Sequence, residues 1–380
     1  MASKDYFHTL DTFITELSAD SVEWCPAEPF KDVLACGTYK LPEINDSPNL
    51  RNRRIGQIYL FRVVKGGKLE MLHQIDTSGI LDMKWMHITD IDNNRILLGV
   101  VNSNGYLQIY ELRYADSAHN KTEFKLIAEE KIGADDEKVM ALSLDWSVGR
   151  GAWTSDSIPH IAVSDSLGRI SHFTWHETSN LTKNFTWSAH QFQAWIVAFN
   201  YGSKNIFYSG GDDNKFLTFD TRVGSVPVFR SREHIYGVTS IHNNIVKPHT
   251  LVTGSYDQIL RLWDTRNLNQ PISKIDLEGG IWRLKWDPFK HQYLFAACMS
   301  EGFRIVNWSS EVLMSVCGHY DEHSGLSYGC DWSSLNKEDL KRLNISTGNT
   351  LISTCSYQDC ALKLSVINFM TDDKVDDSTS

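Results

Sequence analysis

Seven times along the chain an apolar, alternating segment closes on a tryptophan or its substitute, and each time a second Val/Ile/Leu-rich segment follows after a polar break. The first segment recurs as Ser21-Val-Glu-Trp24, Asp82-Met-Lys-Trp85, Leu144-Asp-Trp146, Arg283-Leu-Lys-Trp286 and Cys330-Asp-Trp332. Ile196-Val-Ala-Phe-Asn200 and Thr239-Ser-Ile-His-Asn243 are copies that have lost the tryptophan. The second segment includes Val33-Leu-Ala-Cys-Gly37, Ile206-Phe-Tyr-Ser-Gly-Gly-Asp-Asp213 and Leu251-Val-Thr-Gly-Ser-Tyr-Asp257. A third follows, of which Ile259-Leu-Arg-Leu-Trp-Asp-Thr-Arg266 carries a Trp-Asp pair and Phe216-Leu-Thr-Phe-Asp-Thr-Arg222 is a near copy.

A unit of this kind is a small sheet that buries its faces only by stacking on its neighbours. Seven such units predict an all-β, seven-bladed WD-repeat β-propeller. The anchors lie somewhat wider apart than the roughly 40–45 residues of a WD repeat. The excess falls in polar insertions at 41–54, 115–122 and 148–157, which read as loops. The last unit lacks an outer strand before the acidic, polar tail at 371–380, and residues 7–16 have the composition to supply it. Closure of that kind removes the exposed sheet edge. Residues 1–370 therefore read as one domain, since no Pro/Gly/Ser-rich linker divides them.

A formal net charge of -10 argues against a phosphate backbone as the main partner, because such binding needs clustered Lys and Arg. No apolar run approaches the roughly 18 residues that span a bilayer, and the first residues have no signal-peptide core. The expectation is a cytoplasmic monomer that binds neither nucleic acid nor membrane. Seven cysteines without a Cys-x-x-Cys pair read as reduced core residues.

In a propeller the loops that lead into the innermost strands ring one mouth of the central channel. Here they are rich in aromatics, histidines and carboxylates: Ala189-His-Gln-Phe-Gln-Ala-Trp195, Leu277-Glu-Gly-Gly-Ile-Trp282 and Gly318-His-Tyr-Asp-Glu-His-Ser-Gly-Leu-Ser-Tyr-Gly329 are examples. A nucleophile elbow, a phosphate-binding loop and a dinucleotide glycine motif are all absent. His319-Tyr-Asp-Glu-His323 matches an inverted zinc-protease pattern, but that chemistry needs a helix, and Gly318, Ser324 and Gly325 argue for a loop. No metal is expected. His234 and Asp257 read as buttresses of their own blade. For His190 the catalytic and structural readings stand level, and the doubled Asp212-Asp213 leaves one carboxylate for the mouth.

Ser18-Ala-Asp-Ser-Val-Glu-Trp-Cys-Pro26, Ala35-Cys-Gly-Thr-Tyr39, Ile80-Leu-Asp-Met-Lys-Trp85, Ala189-His-Gln-Phe-Gln-Ala-Trp195 and Ser209-Gly-Gly-Asp-Asp213 together resemble one WD-repeat family. It is the diphthine methylesterase family of diphthamide biosynthesis, historically called diphthine methyltransferase. The likeness runs from about Leu17 to Leu364. It implies a cofactor-free enzyme that hydrolyses the methyl ester of methylated diphthine on translation elongation factor two. One departure is Gln193, where the family pattern suggests glutamate, so no general base is assigned there.

The substrate would carry a permanent trimethylammonium cation, which aromatic rings hold at about 0.5–2 kcal/mol each. On this reading His190 is the general base, Asp213 orients it and Tyr328 stabilises the oxyanion. Gln191, Trp195, Trp282 and His319 would bind substrate. The rival reading is a non-catalytic scaffold or adaptor, and a third is a methyl-lysine reader with the same aromatic mouth.

Overall fold

Alternation of apolar and polar residues sets the strands, and the strands set the ring. The computed structural model describes residues 7–41, 54–87, 96–116, 121–134, 138–148, 158–176, 178–310, 313–346 and 349–368. The insertions at 41–54 and 148–157 fall almost wholly outside them and the acidic tail wholly so, whereas of 115–122 only 117–120 do and its ends belong to the strands Tyr106–Asp116 and Lys121–Lys131. Seven four-stranded antiparallel sheets form the seven blades of a β-propeller. Six are meanders of consecutive strands. Their innermost strands are Ser18–Trp24, Ile80–Trp85, Ala141–Trp146, Ala194–Asn200, Val238–Asn243 and Arg283–Trp286, and Ser327–Trp332 opens the seventh blade.

That seventh sheet joins the two ends of the chain, as the sequence predicts. Phe7–Ile14 pairs antiparallel with Ala361–Asn368, Phe7 opposite Ile367 and Ile14 opposite Ala361. The closing strand also reaches sideways. Phe7 meets Tyr320 of blade six with ring centroids 5.2 Å apart, and Phe13 meets Phe61 of blade one at 4.8 Å.

Burial follows position within a blade. Second strands such as Val33–Tyr39 and Ile96–Asn102 are buried almost throughout, because neighbouring blades cover both faces. The outermost strand Lys68–Ser78 is exposed or half-buried along its whole length. Among the described residues the core is therefore not one mass but seven clusters, each spanning two adjacent blades. Three of the five anchor tryptophans staple these interfaces: the indole N–H of Trp85 donates to the Glu23 carbonyl at 3.0 Å, Trp146 to Lys84 at 2.9 Å and Trp332 to Lys285 at 2.9 Å. Each bond reaches back one blade.

One element has no counterpart in the sequence reading. A short helix, Lys337–Arg342, lies between the first two strands of blade seven. The Asn336 side chain accepts from the Glu338 and Asp339 amides while Asp339 takes the Asn336 N–H, a capping box that satisfies the first turn. Leu340 pins it to the cluster between blades seven and one.

Six of the seven innermost strands carry a bulge at the matching place. Their pairing slips between Ala19 and Ser21, Ile80 and Asp82, Ala141 and Ser143, Ala194 and Ile196, Val238 and Ser240, and Ser327 and Gly329. A bulge re-aims one side chain, and here it turns one residue per blade toward the channel mouth.

Candidate functional site

The re-aimed residues are Asp20, Leu81, Leu142, Trp195, Thr239 and Tyr328, with Trp282 at the matching place in blade six, and all seven line a cavity of ≈ 280 Å³. That is far above the ~10–15 Å³ that holds one water. Tyr39, Arg54, Gln193, Tyr256 and Arg283 complete most of the wall.

Aromatic rings run in an unbroken chain around it. Trp195 meets Trp282 at 5.6 Å and Tyr256 at 6.3 Å, edge on in both cases. Trp282 meets Tyr328 at 5.1 Å, Tyr328 meets Tyr357 at 5.8 Å, and Tyr357 meets Tyr39 at 5.0 Å. Six rings thus come from blades four to seven and one. Asp212 accepts the Trp195 indole N–H at 3.1 Å and fixes that ring. Burial raises the phenols of Tyr39 and Tyr256 above their ordinary value and pushes Tyr328 up to about 12, so all three stay protonated donors.

Among the described residues this wall carries one carboxylate. Asp20 is 2% exposed, and its Oδ2 finds no hydrogen-bond partner among the described residues. Burial raises its pKa to about 7; Arg283 and Arg54 oppose the shift and Asp82 adds to it. Beneath it the channel is filled by charge. Arg283 donates to Asp82 at 2.9 Å, and Asp82 also accepts from the Ser143 hydroxyl at 3.0 Å. One layer lower, Lys285 bonds both oxygens of Glu23 at 2.6 Å and Lys84 stands 3.6 Å from Asp145. Arg283 is held from below by Asp82, and Asp20 and Arg54 share the cavity wall with it.

The residues leave His190 level between a base and a blade residue and the resemblance makes it the base; the structure turns it into its blade. Its side chain is fully buried, with Nδ1 2.7 Å from Asp213 Oδ1 and Nε2 2.8 Å from the Ser209 hydroxyl. Both nitrogens are occupied inside blade four. Part of this arrangement recurs: in blade five His234 bonds Thr253 at 2.9 Å, but its Nδ1 has no partner among the described residues because Asp257 is taken by Arg261 and the Ile235 amide, and in blade seven His323 bonds Thr354 at 2.9 Å with Nδ1 3.4 Å from Asp359. A histidine bonded to a second-strand hydroxyl at the same place in three blades, with both nitrogens of His190 engaged inside its own blade, reads as framework. Asp213 shares that role: burial raises its carboxyl, but hydrogen bonds from His190 and Lys215 outweigh it and hold it well below the ordinary value.

Two more expectations change. Gln191 is exposed on the rim, with its backbone amide donating to Asp213 at 3.2 Å, and does not line the cavity. His319 is exposed on the outermost strand of blade six, opposite Arg304, while His323 is buried in blade seven. Strand and turn thus separate the two imidazoles of the inverted motif. Of the sequence-selected residues the cavity brings together Trp195, Trp282 and Tyr328. Sequence reasoning missed Asp20, Tyr39, Arg54, Tyr256 and Arg283. A signal existed for the channel charges: Glu-Trp, Lys-Trp, Asp-Trp, Lys-Trp and Asp-Trp precede the turns at Trp24, Trp85, Trp146, Trp286 and Trp332.

Comparison with known proteins adds to the geometry. No family model matches the chain. It is 40% identical over 352 residues to diphthine methyltransferase of Homo sapiens, covering 88% of this chain and 76% of the human protein. The mouse protein of that name is 40% identical over 333 residues, with 84% and 68% covered. The diphthine methyltransferase homolog of Dictyostelium discoideum is 33% identical over 390 residues, with 93% and 98% covered. Among solved structures, a chain of the mitotic checkpoint complex superposes with a TM-score of 0.64 over 97% of this chain and 95% of that one. At 16% identity this likeness concerns the fold alone.

Proposed function

The chain belongs to the diphthine methyltransferase family, and from that premise we propose that it hydrolyses the methyl ester of methylated diphthine on translation elongation factor two, in the cytoplasm. The observation that carries the reading is a buried carboxylate, with an oxygen that has no partner among the described residues, on the wall of a cavity that a chain of aromatic rings lines.

Each part of the cavity has a task in that reaction. The substrate cation rests against Trp195, Trp282 and Tyr256, where each ring contributes about 0.5–2 kcal/mol. Asp20, a carboxylate above its raised pKa, takes a proton from water as the water oxygen bonds to the ester carbonyl carbon. The carbonyl π electrons move to oxygen, where the Tyr328 hydroxyl donates to the oxyanion. Collapse of that intermediate breaks the carbon–methoxy bond, and the leaving oxygen takes the proton from Asp20. Methanol and the carboxylic acid result, with one water consumed, and the acid then loses its proton to solvent to leave the carboxylate. Asp20 thereby takes over the role that the resemblance assigns to His190.

The same rings would suit a scaffold that holds a trimethylated peptide without chemistry, but a cation clamp has no need of a carboxylate tuned near neutrality. Incubating the purified chain with methyl-esterified elongation factor two and weighing the product separates the two. The esterase reading expects the loss of one CH2 of mass and release of methanol. Stable binding with unchanged mass would support the scaffold instead.

A further inference from the structure

Large apolar side chains stand in water along one arc of the rim that surrounds the aromatic cavity. Leu167 is 46% exposed, Phe192 59%, Ile235 68% and Tyr236 59%. They are contiguous through the backbone. A Cβ on Gly168 would strike the carbonyls of His190 and Phe192, so the Leu167 turn lies against the Phe192 loop. Asp212 donates its amide to Gln193 at 2.8 Å, and the Asn214 side chain bonds the Ile235 carbonyl at 3.0 Å, which links that loop to the next. The arc borders the cavity, since the Tyr256 amide donates to Gly237 at 3.0 Å. Among the described residues the core clusters include none of these four side chains.

The rim continues as carboxylates. Glu278 and Glu301 are exposed, and Glu301 lies against Gly279. Asp321 is exposed as well. Arg304, itself buried, stands 3.8 Å from Glu278 and 3.0 Å from Asp321 and ties them into one arc. Exposed Asp212 adds a carboxylate within the apolar arc, between the Phe192 loop and Gly237. Apolar surface that is exposed in a patch and edged with like charge marks a protein-binding face, and the sign of the edge selects the partner.

We infer that this rim docks a positively charged protein surface whose apolar segment lies on Phe192, Ile235 and Tyr236 while its cations meet Glu278, Glu301 and Asp321. Resting on the esterase reading, the docked surface is the one that carries the modified side chain, so that recognition of the protein and of its small cationic group are two neighbouring sites on one face. The apolar arc supplies residence time and the acidic arc supplies speed and selection of partner.

The full chain is titrated against immobilised methyl-esterified elongation factor two at low and physiological salt. The unaltered chain should bind, and more weakly as salt rises. Phe192→Ser with Ile235→Ser should weaken the affinity about tenfold or more. Glu278→Lys with Glu301→Lys should slow association and flatten the salt dependence. Both pairs should melt with the unaltered chain, because all four side chains are exposed. Absence of a complex, indifference of binding to salt, or an unchanged affinity in both pairs would overturn the dock. Product mass, measured separately at saturating chain, judges the chemistry: binding without mass loss removes the esterase reading and leaves the dock, whereas mass loss with unaltered affinity in both pairs does the reverse.

Discussion

Asp20 combines two properties that a structural carboxylate does not need together, burial and an oxygen without a partner. Ionising it inside the fold costs up to roughly 1.4 kcal/mol for each unit by which its pKa is raised. Because the folded pKa is raised, that cost is absent at low pH and grows as pH climbs toward and through about 7. Asp20→Asn should therefore melt no lower than the unaltered chain, and higher above neutral pH, by calorimetry. His190→Ala should behave in the opposite way. It strands Asp213 and Ser209 in a buried relay, so urea unfolding should show a loss of about 1–3 kcal/mol, while turnover of the molecules still folded persists. These contrasts show what was legible. Trp195, Trp282 and Tyr328 could be placed because their segments lead into innermost strands. His190 could not, since a mouth base and a blade relay share one sequence context. Asp20 was hidden because a one-residue bulge decides which way its side chain points, and alternation carries no trace of it.

At the scale of elements, strand order and blade number could be read directly, because period-two alternation and recurring tryptophans report the two surfaces that each blade must bury. The helix Lys337–Arg342 escaped notice: six residues give too little periodicity, although Asn336 and Asp339 spell its cap. Blade interfaces rest on the tryptophan staples, and Trp332 is 1% exposed between blades six and seven. Trp332→Ala should cost about 3–5 kcal/mol in urea or thermal unfolding. Trp282→Ala differs, since that ring lines the cavity: the expected outcome is a KM for the trimethylammonium substrate raised about twofold to thirtyfold, with little change in melting.

For the whole molecule, closure makes one cooperative body out of seven sheets. Removing residues 1–16 would bare Ala361–Asn368 as an edge and uncouple blades six, seven and one. Denaturant unfolding of the shortened chain should lose its single sharp transition, and light scattering should register aggregation. Closure also serves the proposed chemistry, because Asp20 belongs to blade one while Trp282 and Tyr328 belong to blades six and seven, on the far side of the seam. The pH dependence of kcat/KM on methyl-esterified elongation factor two, for the unaltered chain and for Asp20→Asn, tests that chemistry most directly. The unaltered chain should rise with pH and level off above about 7, and Asp20→Asn should lie about 10²-fold or more below it without that rise. An Asp20→Asn profile that overlays the unaltered one would contradict it.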